Sequence, residues 1–397
     1  MTTTFDIESV RARFPALSRV EHGIPVAYLD GPGGTQVPQT VIDAMTATLR
    51  DGMSNLGGGF GASDDAVRAT ESARAAMGRL FHTDPATISF GQNMTSLTFA
   101  ISRALAATWR EGDAIVVTSL DHDANYTPWQ MAARDTGVEV RVAEFDPSTG
   151  LLDPDAVVDL IDERVRLVAV CLASNSLGSV IDVAAISRHT SEIGALLFVD
   201  AVHATPHLAI DVSTLGCDFL VASSYKFFGP HTGILYGSPE HMAALEAYKV
   251  RPAPSDPPEK WETGTQSFES LAGITAAVEY LESVGHDDIS AQETSLGRRF
   301  LSGIAAMPHV TLHGVSEMDE RRVATFAVAV AGVHPDRVAA RMVDAGVYVW
   351  SGHYYAVNVM DRLGVLDDGG LTRIGFVHYN TDDEVDRALE ILSSLSG

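Results

Sequence analysis

The chain has 397 residues, 46% apolar and 20% charged, which is enough for a sizeable core and for two domains. A formal net charge of -25 argues against binding nucleic acid or an acidic membrane surface, both of which call for a basic footprint. The opening Met1-Thr-Thr-Thr-Phe-Asp-Ile-Glu8 lacks a basic and apolar signal region, and no apolar run nears the ~18 residues of a membrane span, so a cytoplasmic protein is expected.

In chain order, the glycine-rich stretch Ser54-Asn-Leu-Gly-Gly-Gly-Phe-Gly-Ala-Ser63 precedes a helix over 63–81. It has neither the Gly-Lys-Ser/Thr ending of a phosphate loop nor the glycine spacing of a dinucleotide fingerprint, so it reads as a turn where backbone could approach a ligand. Next, the run 87–90, the turn Gly91-Gln-Asn-Met-Thr-Ser96 and a helix over 97–109 describe strand, polar turn and helix start. Free amides of that first turn, with the Thr95 hydroxyl, could bind a phosphate, although a plain N-cap explains the pattern equally well.

Apolar runs at 114–118, 167–172, 195–199, 219–222 and 233–237 alternate with helical stretches at 121–135 and 182–191. That rhythm predicts βαβ units and a mainly parallel sheet. Asp200 closes the third of these strand candidates, where open α/β sheets place their ligands. Lys226, in Ala222-Ser-Ser-Tyr-Lys-Phe-Phe-Gly-Pro230, lies just past the fourth. A lysine shielded among apolar and aromatic neighbours loses its proton more readily and can form an imine. A carboxylate beside it suits the ring nitrogen of pyridoxal phosphate, whose pyridinium is an electron sink. Alone, Lys226 would read as a surface lysine and Asp200 as a cap; together, on successive strands, they read as a site.

The proline-rich 251–258 is read as an ordered active-site loop or a flexible cover. A long helical passage over 267–307 follows, then strands at 324–330 and 346–350 and helices at 335–345 and 382–396. Thr381 is a usable N-cap for the last helix, with Asp382, Asp383 and Glu384 set against the helix dipole. An N-terminal arm (1–20) packing with the small domain, a large domain (21–284) and a smaller α+β domain (285–397) are expected. No metal-ligand cluster is apparent, and Cys171 and Cys217, both in apolar runs, read as core residues.

The blocks Tyr28-Leu-Asp-Gly-Pro-Gly-Gly34, Asp121-His-Asp-Ala-Asn-Tyr-Thr-Pro-Trp-Gln130, Ala173-Ser-Asn-Ser-Leu-Gly178 and Thr372-Arg-Ile-Gly-Phe-Val-His-Tyr-Asn-Thr381 extend these signals. With them the chain resembles the class V aminotransferase family of fold type I pyridoxal phosphate enzymes, within it the cysteine desulfurase and selenocysteine lyase branch. The resemblance implies a seven-stranded, mainly parallel sheet, bound pyridoxal phosphate and a homodimer with shared active sites. It makes Lys226 the lysine that holds the cofactor, Asp200 the partner of the pyridine nitrogen and His122 the imidazole stacked on the ring. It gives Asn175 to the ring hydroxyl, and Met94, Thr95, Ser223 and Tyr225 to the phosphate end. Tyr225 stands where desulfurases usually carry histidine, and His203 where they carry glutamine. Gly264 and Thr265, in Glu262-Thr-Gly-Thr-Gln266, would reach the partner's phosphate in trans.

The same resemblance makes Arg373 the grip on the substrate carboxylate, a role that suits a planar guanidinium. In Val347-Tyr-Val-Trp-Ser-Gly-His-Tyr-Tyr-Ala356, Tyr355 takes the position of the desulfurase cysteine, and Trp350 replaces a second arginine. Tyr354 and Asn55 complete the expected substrate side. A phenol forms no persulfide, so a lyase acting at Cβ or Cγ without that cysteine is expected first. Epimerisation or racemisation follows, then transamination. A cofactor-binding scaffold without catalysis is the reading from another class.

Overall fold

The computed structural model describes residues 5–395. Seven strands form one sheet in the order Ile88–Gly91, Gly233–Gly237, Phe219–Ser223, Leu196–Asp200, Val165–Cys171, Ala114–Thr118 and Glu139–Ala143. Gly233–Gly237 is antiparallel to both neighbours, and the other pairs are parallel. Continuous apolar runs, rather than alternation, follow from burial of both faces. Successive side chains point to opposite faces. Val116, Val168, Val199 and Leu220 join one core with Met77 and Ile274, whereas Ile115, Leu167, Phe198 and Phe219 join another with Ile101 and Trp129.

The edge strand Glu139–Ala143 escaped the apolar-run criterion because it is only partly covered. Its Arg141 lies over the edge, donating to the Leu160 carbonyl at 2.7 Å and the Asp162 carboxylate at 3.0 Å. Two helical expectations are also revised. The 121–135 stretch is a short turn, Asp123–Asn125, followed by a helix Thr127–Thr136 with Pro128 in its first turn, where the missing N–H costs nothing. The passage over 267–307 is two helices, Phe268–Val284 and His286–Ala305, parted at Gly285 by a φ of 89°.

The C-terminal strands Val310–His313, Thr325–Val330, Leu371–Gly375 and Trp350–Gly352 make a separate antiparallel four-stranded sheet. Phe300, Phe326, Phe376 and Val385 form its core. The single strand expected over 346–350 is divided: Val347–Tyr348 pairs in parallel with Ala27–Tyr28, while Trp350 pairs with Arg373 in the four-stranded sheet. Helix Asp382–Ser394 opens with a reciprocal capping box between Thr381 and Glu384; its expected last residue, Ser396, lies outside the described residues. So do the first four residues of the expected N-terminal arm, whose Arg11 pairs with Glu384 at 3.0 Å and donates to the Tyr379 carbonyl at 2.7 Å. Among the described residues no helix is long and apolar enough to cross a membrane.

Candidate active site

A cavity of about 680 Å³ opens at the carboxyl ends of the parallel strands, with the C-terminal loop His353–Tyr355 on its other side. Met94, Thr95, His122, Asn175, Asp200, His203, Ser223, Tyr225, Lys226, Trp350, Tyr354, Tyr355 and Arg373 all border it. Asn55, Gly264 and Thr265 do not. They lie elsewhere on the surface, where the Asn55 amide donates to the Thr265 hydroxyl at 3.4 Å.

The chain sets Lys226 in a short turn after strand Phe219–Ser223, where its ammonium donates to the Pro32 carbonyl and lies 5.0 Å from the centre of the Tyr225 ring. Burial, then the nearby Arg373 charge, pulls its pKa down to about 7, against the opposite pull of Asp200 and Asp30. Near neutrality this amine is therefore about half unprotonated, a state the usual lysine reaches only near ~10.4. Uptake of pyridoxal phosphate by the cofactor-free protein is expected to quicken as pH rises through about 7, because only the neutral amine is a nucleophile. A stopped-flow pH series checks this; a rate still climbing from pH 9 to 11 contradicts it.

Asp200 ends its strand with one carboxylate oxygen accepting from the Val202 amide at 2.8 Å. Burial raises its pKa to about 6, so a cation placed beside it would be welcomed. Beneath it, Asp121 is pushed by burial to about 8 and accepts from the Thr118 hydroxyl and, at 2.7 Å, from the Asn125 amide. His122 is held neutral, its pKa brought to about 3 by burial and then by Lys226 and Arg373. Its Nδ1 accepts from the Ala124 amide at 3.0 Å, leaving the proton on Nε2. Across the cavity His203 Nε2 meets the Thr325 hydroxyl at 3.0 Å, joining the large sheet to the small one.

At the rim, helix Met94–Ala106 begins with Asn93 as its cap, and the Met94 amide donates to Ser223 Oγ at 3.1 Å. That leaves a polar helix start suited to a phosphate. Arg373 is buried, its pKa lowered to about 10 chiefly by burial; Nη1 donates to the Asn175 carbonyl at 2.9 Å, and the guanidinium stacks 4.5 Å from the Tyr354 ring centre. Asn175 Oδ1 and Arg373 Nε are buried without a hydrogen-bond partner. Orphaned polar atoms of this kind are costly unless a ligand completes them. A buried acceptor, a buried guanidinium, a carboxylate at a strand end and a neutral-prone lysine fit pyridoxal phosphate and an amino acid carboxylate.

Several bordering groups were not singled out as site residues from sequence. Pro32 and Gly33 come from the quoted Tyr28–Gly34 block, and Asp30, just behind them, is raised by burial to about 6 with Oδ1 unpartnered. Cys171, read as a core residue, is buried as expected but also borders the cavity at its strand end.

A family model described as "Aminotransferase class-V" matches residues 27–388, and the chain belongs to that family of pyridoxal phosphate enzymes. It is 32% identical to a protein named cysteine desulfurase from Yersinia pestis bv. Antiqua (strain Angola), over 96% of each chain. Among solved structures it is similar to the apo cysteine desulfurase of Thermococcus onnurineus NA1, with a TM-score of 0.91, 27% identity and coverage of 100% of this chain and 99% of that one. It is also similar to an Escherichia coli cysteine desulfurase, with a TM-score of 0.88, 25% identity and coverage of 99% and 98%.

Proposed function

We propose that this enzyme is a lyase that cleaves an amino acid at Cβ or Cγ without a persulfide-forming cysteine. The supporting observation is the state of its two thiols. Cys171 alone of them borders the cavity, and burial together with the Asp121 and Asp200 carboxylates drives its pKa well above the ordinary thiol value. Cys217 is buried elsewhere and raised by burial to about 12. A nucleophilic cysteine needs the opposite environment, one that favours thiolate.

Pyridoxal phosphate, when bound, supplies an electron sink that makes the Cα–H of an attached amino acid acidic. Lys226 holds the cofactor and, once displaced by substrate, moves the Cα proton on Nζ. Arg373 grips the α-carboxylate, and its buried, planar fork orients the amino acid. Asp200 provides the anion that keeps the ring nitrogen protonated, and neutral His122 and Asn175 pack against and hydrogen-bond the ring. Met94, Thr95, Ser223 and Tyr225 hold the phosphate. Gly264, Thr265 and Asn55 act in a homodimer, completing the partner's site from the surface where they lie. The division into an arm, a large domain to 284 and a small domain from 285 belongs to the same reading.

Incubating the holoenzyme with an amino acid panel tests the reaction type. Release of a 2-oxo acid and ammonia without any added amino acceptor is expected. Dependence on an added 2-oxo acid would identify a transaminase, and appearance of the D-enantiomer a racemase. With L-cysteine, an alkylation-sensitive persulfide on Cys171 or Cys217 would overturn the reading. Light scattering during the same preparation should give twice the chain mass.

A further inference from the structure

The substrate side of the cavity is walled by aromatic rings and, among the described residues, contains no spare lysine or arginine. Among the described residues that border it, Lys226 and Arg373 are the only lysine and arginine. On the reading above the first serves the cofactor and the second the α-carboxylate. The remaining charged side chains there are the carboxylates of Asp123 and Asp200, and His122 is held neutral. An anionic substrate side chain would therefore enter without a lysine or arginine to pair with, at a desolvation cost.

What faces such a side chain instead is a mouth built from Trp350 and Tyr355, residues that remain 55% and 66% exposed. Both are set by specific backbone contacts. Gly33 packs directly under the Trp350 indole, so that a Cβ added there would lie 2.8 Å from the indole nitrogen. Glycine at 33 thus lets the ring lie flat against the cavity wall. On the other side, Tyr354 and Tyr355 both adopt left-handed backbone, with φ of 51° and 58°. Non-glycine residues rarely do so, and the strain persists only where surroundings over-determine it. Here the Asn175 amide donates to the Tyr354 carbonyl at 3.0 Å, and the Asp123 amide donates to the Tyr355 carbonyl at 2.7 Å. The Tyr354 hydroxyl donates to the Leu371 carbonyl. So held, the Tyr355 ring stacks on His122 with centroids 5.5 Å apart and planes 23° from parallel.

We infer that these two rings form a side-chain subsite, and that the substrate is an amino acid carrying a large apolar or aromatic group beyond Cβ. The inference rests on the reading that the cavity binds an amino acid through Arg373, and specifies which one. A small substrate would leave both rings in water, whereas a bulky apolar group would cover them, converting exposed aromatic surface into binding energy.

The test is spectral titration of the purified holoenzyme with L-alanine, L-cysteine, L-aspartate, L-lysine, L-phenylalanine and S-benzyl-L-cysteine, with thermal shift as a second readout. L-phenylalanine and S-benzyl-L-cysteine should bind at least about tenfold more tightly than L-alanine, and L-aspartate most weakly. Trp350→Ala and Gly33→Ala should each shrink that preference several-fold, the first by removing the ring and the second by displacing it. Trp350→Phe should keep most of it. Trp350→Arg should invert it in favour of L-aspartate. If L-aspartate, L-lysine or L-cysteine binds as tightly as the aromatic probes, or if the ratios ignore Trp350 and Gly33, the subsite is wrong while amino acid binding stands. If no amino acid perturbs the cofactor spectrum or the melting temperature, the underlying reading fails instead.

Discussion

Replacing Lys226 with alanine should abolish covalent capture of the cofactor and lower turnover by roughly 10²–10⁴-fold, the range for loss of a positioned proton-transfer group. The chain has three lysines, and the fold brings only Lys226 to the cavity. Lys260 donates to the carbonyls of Ala243 at 2.8 Å and Leu245 at 2.9 Å, and Lys249 to that of Ala253 at 3.0 Å; neither borders the cavity. Borohydride reduction of the wild-type holoenzyme, followed by digestion and mass spectrometry, should place the pyridoxyl mass on Lys226. Finding it on Lys249 or Lys260 would overturn the assignment of the site. Residual catalysis in Lys226→Ala that exogenous methylamine restores would support the proton-transfer role separately from cofactor retention.

Arg373→Ala is expected to weaken binding of the best amino acid by roughly 2–5 kcal/mol, about 30- to 5,000-fold, the cost of truncating one partner of a buried charged pair. The bound cofactor's own absorbance should be retained, because Arg373 donates to the backbone carbonyl of Asn175 and stacks on Tyr354, so that neither the Asn175 side chain nor Lys226 loses a hydrogen bond on its removal. Arg373→Lys should rescue little, since a single ammonium cannot reproduce two parallel donors. An unchanged dissociation constant for the amino acid, measured on a variant with a normal cofactor spectrum, would remove Arg373 from the substrate site.

Sequence made the strand-borne half of the cavity legible. Asp200 and Lys226 end buried apolar runs, and a polar residue in that place is where a parallel sheet presents chemistry. Thr95 was legible for a different reason, at a turn between strand and helix. Asp30 and Gly33 were not, although their block was quoted, because nothing local says that they lie behind Lys226. That proximity depends on the Lys226 contact with the Pro32 carbonyl across the fold. The strained conformation of Tyr354 and Tyr355 was equally hidden: tyrosine favours extended backbone, and only tertiary hydrogen bonds force φ positive. The split of 346–350 between two sheets could not be read either, since both halves share one apolar pattern and differ only in partner. Asn55, Gly264 and Thr265 were named through family resemblance, and a single chain keeps them apart from the cavity.

The pairing of Ala27–Tyr28 with Val347–Tyr348, and the bridge from Asp30 to Gly375, also carry a consequence for biosynthesis. The wall that includes Pro32 and Gly33 is made before any strand of the large sheet; the Lys226 turn gives it one contact, but its strand partner Val347–Tyr348 and the bridge at Gly375 are made long after it. Contacts so distant in sequence are slow to form and late to be rewarded. The seven-stranded sheet, complete once residue 237 is made, can collapse first. A nascent chain therefore completes the cofactor-binding cavity only once Gly375 has emerged, and a stall or truncation short of Val347 leaves a folded sheet whose active-site wall lacks its strand partner and bridge.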